Sequence, residues 1–166
     1  MEKLSVVRFV DAYSYNDEQI QDTELPVHRA FGWAEKRDQM VVVRFIKGVS
    51  SEVDNPGNLV QGLIIPKTNL VSESKKFDHN LFDGLRAFSK ISIKWSDVVF
   101  VDNTKLPNPS IMITEGILEK NEEDRLVLKN SKTTRMQPLP ERRHHNSDEK
   151  YWIIPKSVVL EVKEVK

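Results

Sequence analysis

Most apolar residues of this chain fall in short runs rather than at helical spacing. VVRFVDAYS (6–14), DQMVVVRFIKG (38–48) and DVVFVDN (97–103) are β-branched and aromatic stretches bounded by polar or proline-bearing segments, the pattern of strands. HRAFGWAEK (28–36) leads into the second of these and predicts a hairpin turning at Glu35–Asp38. ITEGILEKNEEDRLVLKN (113–130) predicts another, with a longer acidic turn around Asn121–Asp124. VVLEVKEV (158–165) alternates and reads as a last strand with Val158, Leu160 and Val162 on one face. Helical spacing is met once, at Leu81, Phe82, Leu85 and Phe88, with Asp78 or Asn80 placed to cap. It predicts a short amphipathic helix over about Asn80–Lys90, despite Gly84.

The runs come in two similar series. LIIPKTNLV (63–71) and WIIPKSVVL (152–160) share Ile-Ile-Pro-Lys-Ser/Thr. Upstream, SVVRFVD (5–11) aligns with SDVVFVD (96–102), GWAEK (32–36) with GILEK (116–120), and Asp38–Val42 with Asp124–Leu128. Four blocks in one order, at offsets between 84 and 91 residues, point to an internal duplication. Proline after two β-branched residues ends the hydrogen-bond ladder, so each Pro-Lys-Ser/Thr marks a tight 3₁₀ corner before a closing strand. Gly32 and Gly116 sit inside strand patterns, where glycine marks a bulge or sharp bend.

Strand, bent hairpin, strand, single turn and short last strand is the element order of an SH3-like barrel. The expected fold is mainly β: two tandem small SH3-like units over residues 1–72 and 95–166, joined by a connecting segment, 73–94, that holds the helix. Val7, Phe9, Val41, Val43, Ile65, Val99, Val101, Leu126, Leu128 and Ile154 are the expected core.

Composition narrows the functional classes. The chain of 166 residues is 39% hydrophobic and 30% charged, as a globular protein is, and 25 basic residues balance 25 acidic ones. No global field therefore favours nucleic acid or an anionic membrane. Without cysteine there is no disulfide, thiolate nucleophile or cysteine-based metal site. No apolar stretch reaches the roughly 20 residues of a membrane span, and the start, MEKLSVVRFV, lacks the signature of a signal peptide. A cytoplasmic protein that does not enter the membrane, with no cofactor and no metal, is expected.

Candidate contact residues cluster in two places. Asn130–Lys150 is the longest irregular segment and carries Lys132, Arg135, Arg142, Arg143, His144 and His145, stiffened by Pro138 and Pro140. Arg86, Lys90 and Lys94 would line one face of the helix. Asp11 and Asp102 are the repeated acids, each closing a strand, where an aspartate usually accepts backbone N–H bonds. The expected function is a non-enzymatic interaction module, an adaptor that docks a protein partner through barrel surfaces and the 130–150 loop. The alternative is a nucleic-acid binder using the basic stripe and the Arg/His-rich loop. No catalytic motif assigns catalytic residues, although an active site assembled only in three dimensions is a third class. Oligomeric state is not legible at this level.

Overall fold

The computed structural model describes residues 3–15, 24–45, 61–101, 109–137 and 147–166. These fold into a mainly β protein with two sheets. The first has the order β1 (Lys3–Val10), β3 (Val27–Lys36), β4 (Met40–Phe45), β5 (Gln61–Pro66) and β7 (Val99–Val101). The second has the order β11 (Val159–Glu164), β6 (Lys90–Asp97), β8 (Ser110–Asn121), β9 (Arg125–Gln137), β10 (Ser147–Pro155) and β2 (Tyr13–Tyr15). Every pairing is antiparallel. Neither sheet closes on itself, so the expected barrel closure is not seen. No helix among the described residues is long and apolar enough to cross a membrane.

The two sheets repeat one plan. Ser5 pairs with Gly32 as Ile91 pairs with Gly116. Met40 pairs with Pro66 as Arg125 pairs with Pro155. Lys67 N–H donates to Gln39 O at 3.0 Å, and Lys156 N–H to Asp124 O at 2.9 Å. Each Pro-Lys-Ser/Thr forms a 3₁₀ turn, Lys67–Asn69 and Lys156–Val158, and the two turns pack on each other. The glycines recur because nothing larger fits. A Cβ at Gly32 would overlap Arg44 O, and one at Gly116 would lie 2.9 Å from Ser131 Cβ. The ladder is broken by a bulge at Gly116, between Glu115 and Ile117.

The register also corrects one block of the repeat. Phe9 occupies the place of Trp95, not of Phe100, because β6 is KISIKWSD. Residues 96–102 straddle the end of β6 and the short β7. The period-2 alternation of Ile91, Ile93 and Trp95, all fully buried, is the signal that marks this strand. Immediately after Asp11 and Asp97 the chain changes sheets. β2 pairs with β10 of the second sheet (Tyr13 with Ile153), and β7 pairs with β5 of the first (Val99 with Ile64). The two halves are thus interlocked by a reciprocal exchange of short strands.

Each sheet covers its own apolar core. The first buries Phe9, Ala30, Val41, Val43 and Ile65, and the second Ile91, Ile93, Trp95, Leu118, Leu126, Leu128, Ile154 and Val158. Of the expected core, Val7 is partly buried and packs on the first cluster, Val99 is buried with Ile64, and the side chain of Val101 lies outside the described residues.

The expected helix is absent. His79–Phe82 makes a single 3₁₀ turn capped by Asp78, whose Oδ1 accepts from Asn80 N–H at 3.0 Å. Gly84 (φ 77°) and Phe88 (φ 66°) take the left-handed region, which no α-helix passes through. Leu81, Phe82 and Leu85 still pack on the second core, whereas Phe88 is exposed. The last strand also differs, since the 3₁₀ turn includes Val158 and leaves Val159 buried and Leu160 exposed, with a register shift before Glu161. Finally, strands reach into the segment expected to be irregular. β9 runs to Gln137 and β10 starts at Ser147. The buried face of β9 there is Ser131 and Thr133, and a strand whose inner positions are hydroxyl residues does not show as an apolar run. Thr133 Oγ1 lies 2.8 Å from Thr114 Oγ1, which accepts from Trp95 Nε1–H at 3.0 Å.

Candidate functional site

The predicted basic residues do not form one surface. With no helix there is no helical stripe. Lys90 and Lys94 project from β6 on the outer face of the second sheet, with Ser92 between them. Arg86 precedes that strand and lies 3.5 Å from Glu164. Lys94 is opposite Glu161 on β11, and Lys132, on β9 rather than in a loop, is opposite Glu115. Lys163 joins Glu161 at 2.6 Å, and these charges together with Lys94 hold the Glu161 carboxyl below its ordinary value, the hydrogen bond from Lys163 first. Charges of both signs therefore alternate across this face, with Ile113 and Ile117 half-covered among them. Arg135 turns out to be half-buried and acts on Asp97. Arg142, Arg143, His144 and His145 lie outside the described residues, as does Asp102.

The partner of Asp11 is Asp97, which stands at the equivalent point of the other half. The two carboxyl groups are hydrogen-bonded to each other where the strands cross between sheets. Burial, then the charge of Asp97 and its hydrogen bond, pushes Asp11 up to about 9, against the backbone N–H groups of Ala12 and Val98. Burial pushes Asp97 up to about 6, offset by the bond from Asp11, the Val98 N–H and the charge of Arg135. The two carboxyl groups thus share a proton across the hydrogen bond between them. Ala12 N–H donates to Asp11 Oδ1 at 3.0 Å, and fully buried Asn69, from the first 3₁₀ turn, donates to Val10 O at 2.9 Å and to Asp11 Oδ1 at 3.4 Å. These contacts tie the exchanged strands to the packed 3₁₀ turns. Sequence alone pairs Asp11 with Asp102, because the shared letters F-V-D outweigh the strand register.

The same Lys of the repeated motif has two fates. Lys67 is exposed, while Lys156 is buried with its Nζ 4.9 Å from the Phe82 ring centroid and 5.9 Å from that of Phe77. Burial lowers its pKa, against the pull of Asp124 and Glu123.

The outer face of the first sheet is the opposite of the second. Leu4 (50% exposed) and Val6 (58%) on β1 stand beside Trp33 and Phe31 (59%) on β3, with Val27 (46%) on the same strand. Four of the seven exposed large hydrophobic residues among those described belong to these two strands. Next in the row, Arg8 is directly opposite Arg29, both exposed, and like charges so placed repel. Glu35 meets Arg37 (3.1 Å) and Arg44 (3.4 Å) instead, on the far side of the strip. The sequence places Val7 and Phe9 inward, but that Leu4 and Val6 stand beside Trp33 and Phe31 is set by the pairing of β1 with β3, which no local pattern shows. Comparison with protein-family models, curated proteins and solved structures finds no match to this chain.

Proposed function

We propose that this chain is an internally duplicated, non-enzymatic interaction module that docks a protein partner on the outer face of β1 and β3. The observation that carries this reading is the strip Leu4, Val6 and Phe31, left in water beside the Arg8–Arg29 pair. Contiguous apolar side chains rimmed by charge mark protein contact surfaces. The alternating charges on the second sheet support this reading over a nucleic-acid interface, which draws on clustered basic residues. The aspartate pair serves the fold, tying the exchanged strands together at the crossing.

The test is affinity capture from the source cell with the parent chain and with the Val6→Glu/Phe31→Glu variant, alongside anisotropy with mixed oligonucleotides. A protein held by the parent and lost from an equally stable variant is the expected result. An unchanged set of captured proteins, or oligonucleotide binding that the variant retains, would overturn the proposal.

A further inference from the structure

The two halves treat the same edge differently. In the second sheet the outer edge of β6 is closed by β11, with Val159, Glu161, Val162, Lys163 and Glu164 in register against Trp95, Lys94, Ile93, Ser92 and Ile91. Beyond it, Val165 N–H donates to Lys90 O at 2.9 Å. In the first sheet β1 is also the outermost strand. There the chain after the Pro66 corner makes one bridge, Leu70 to Phe9, with Val71 N–H donating to Arg8 O at 3.2 Å, and then turns away through Val71–Lys75. Backbone groups of alternate strand residues point the same way. Since Arg8 O faces the edge, so do the N–H and C=O of Val6 and Leu4, which stand where Ser92 and Lys90 stand in the other half. Among the described residues no strand pairs with them. Natural proteins usually blunt such an edge with charge, proline or a bulge. This one presents leucine and valine.

We infer that β1 receives an extended segment of a partner protein, added antiparallel along Lys3–Val7 in the place that β11 holds on β6. The inference rests on the docking function proposed above and names its mode. The segment is of mixed chemistry, apolar with acidic residues interspersed. Its apolar side chains lie against Leu4 and Val6 and continue the strip to Phe31. Its acidic side chains meet Arg8 and Arg29, which have no acidic partner among the described residues and face each other across the strands. In the other half β11 sets Glu161 against Lys94, the residue equivalent to Arg8; here Val71 holds the backbone of Arg8, so the acid reaches the guanidinium from the end of the segment, past Val6. Backbone hydrogen bonds along the edge supply affinity, and the alternate side chains supply selectivity.

The test uses short capped Glu-Ser-Val-Ser-Val peptides, whose glutamate and valines share one face of a strand, the same peptides with lysine for glutamate, and the glutamate peptides N-methylated at the residues that would face β1. Binding to the full chain is followed by calorimetry, with sedimentation to report its oligomeric state. The glutamate peptide should bind. The lysine and N-methylated peptides should bind about tenfold or more weakly, as expected for losing charge complementarity or edge hydrogen bonds. The Arg8→Glu/Arg29→Glu variant should reverse the charge preference. N-methylated peptide binding as tightly as its parent, yet losing affinity with Phe31→Glu, would overturn strand addition and leave the docking face standing. Equal binding of lysine and glutamate peptides would overturn the acidic partner. No binding to a monomeric chain would overturn the edge proposal, while capture that depends on Phe31 would still uphold the docking function. A dimer that Val6→Glu dissolves would assign the edge to a second copy and overturn it too.

Discussion

The first and second sheets share hinge glycines, proline corners and a buried isoleucine pair, yet they end differently. One carries β11 on its edge and paired charges on its outer face; the other has, among the described residues, a single bridge on that edge and an apolar strip. Positions that set backbone geometry are alike because the fold tolerates little there. Outward positions have diverged, because a solvated residue costs little to change. What separates the halves is therefore their finish rather than their frame, and contact with other molecules is read from the finish.

Four measurements test that contrast. The largest effect belongs to the shared frame. Ile65→Ala and Ile154→Ala, each at a fully buried position, should destabilise by about 2–5 kcal/mol and by similar amounts, measured by urea unfolding. A loss at one and none at the other would show that the two cores are not equivalent.

The crossing point comes next. Because burial raises both carboxyl groups above their unfolded values, the folded chain holds more protons than the unfolded chain at intermediate pH. Stability is then greatest at the acid end of the window and is lost as pH rises through about 6 and about 9. One extra bound proton gives a slope of about 1.4 kcal/mol per pH unit. Thermal unfolding across this window should show the decline in the parent and a flatter curve in Asp11→Asn. A parent stability that rises with pH would remove the shared proton.

Lys156 and Lys67 test the same motif letter in two settings. Lys156→Ala should cost about 0.5–2 kcal/mol, through the lost contact with Phe82 and Phe77. Lys67→Ala, exposed, should stay within about 0.5 kcal/mol. Calorimetric melting of both variants checks the difference, and equal losses would erase it. The smallest effect is expected on the docking face, where Phe31→Glu should leave stability within about 0.5 kcal/mol while abolishing partner capture. A large loss of stability would mean that Phe31 belongs to the core.

Sequence alone was enough for the β character, both hairpins, the two 3₁₀ corners and a short list of core residues, eight of whose ten members are buried. Each of these is local, since β-branched runs, proline and glycine act on their own backbone. It also carried the pairing of Gly32 with Gly116 and of Pro66 with Pro155. It failed wherever a decision needed a partner far along the chain. The Asn80–Lys90 periodicity is real, but Gly84 and Phe88 turn the backbone and the apolar residues pack without a helix. The strand at 131–137 has an inner face of Ser and Thr, whose burial is repaid only by hydroxyl partners on β8. Strand register alone matched Asp11 with Asp97. The exchange of β2 and β7 between sheets brought the two together, because cross-strand pairing joins residues with no sequence proximity.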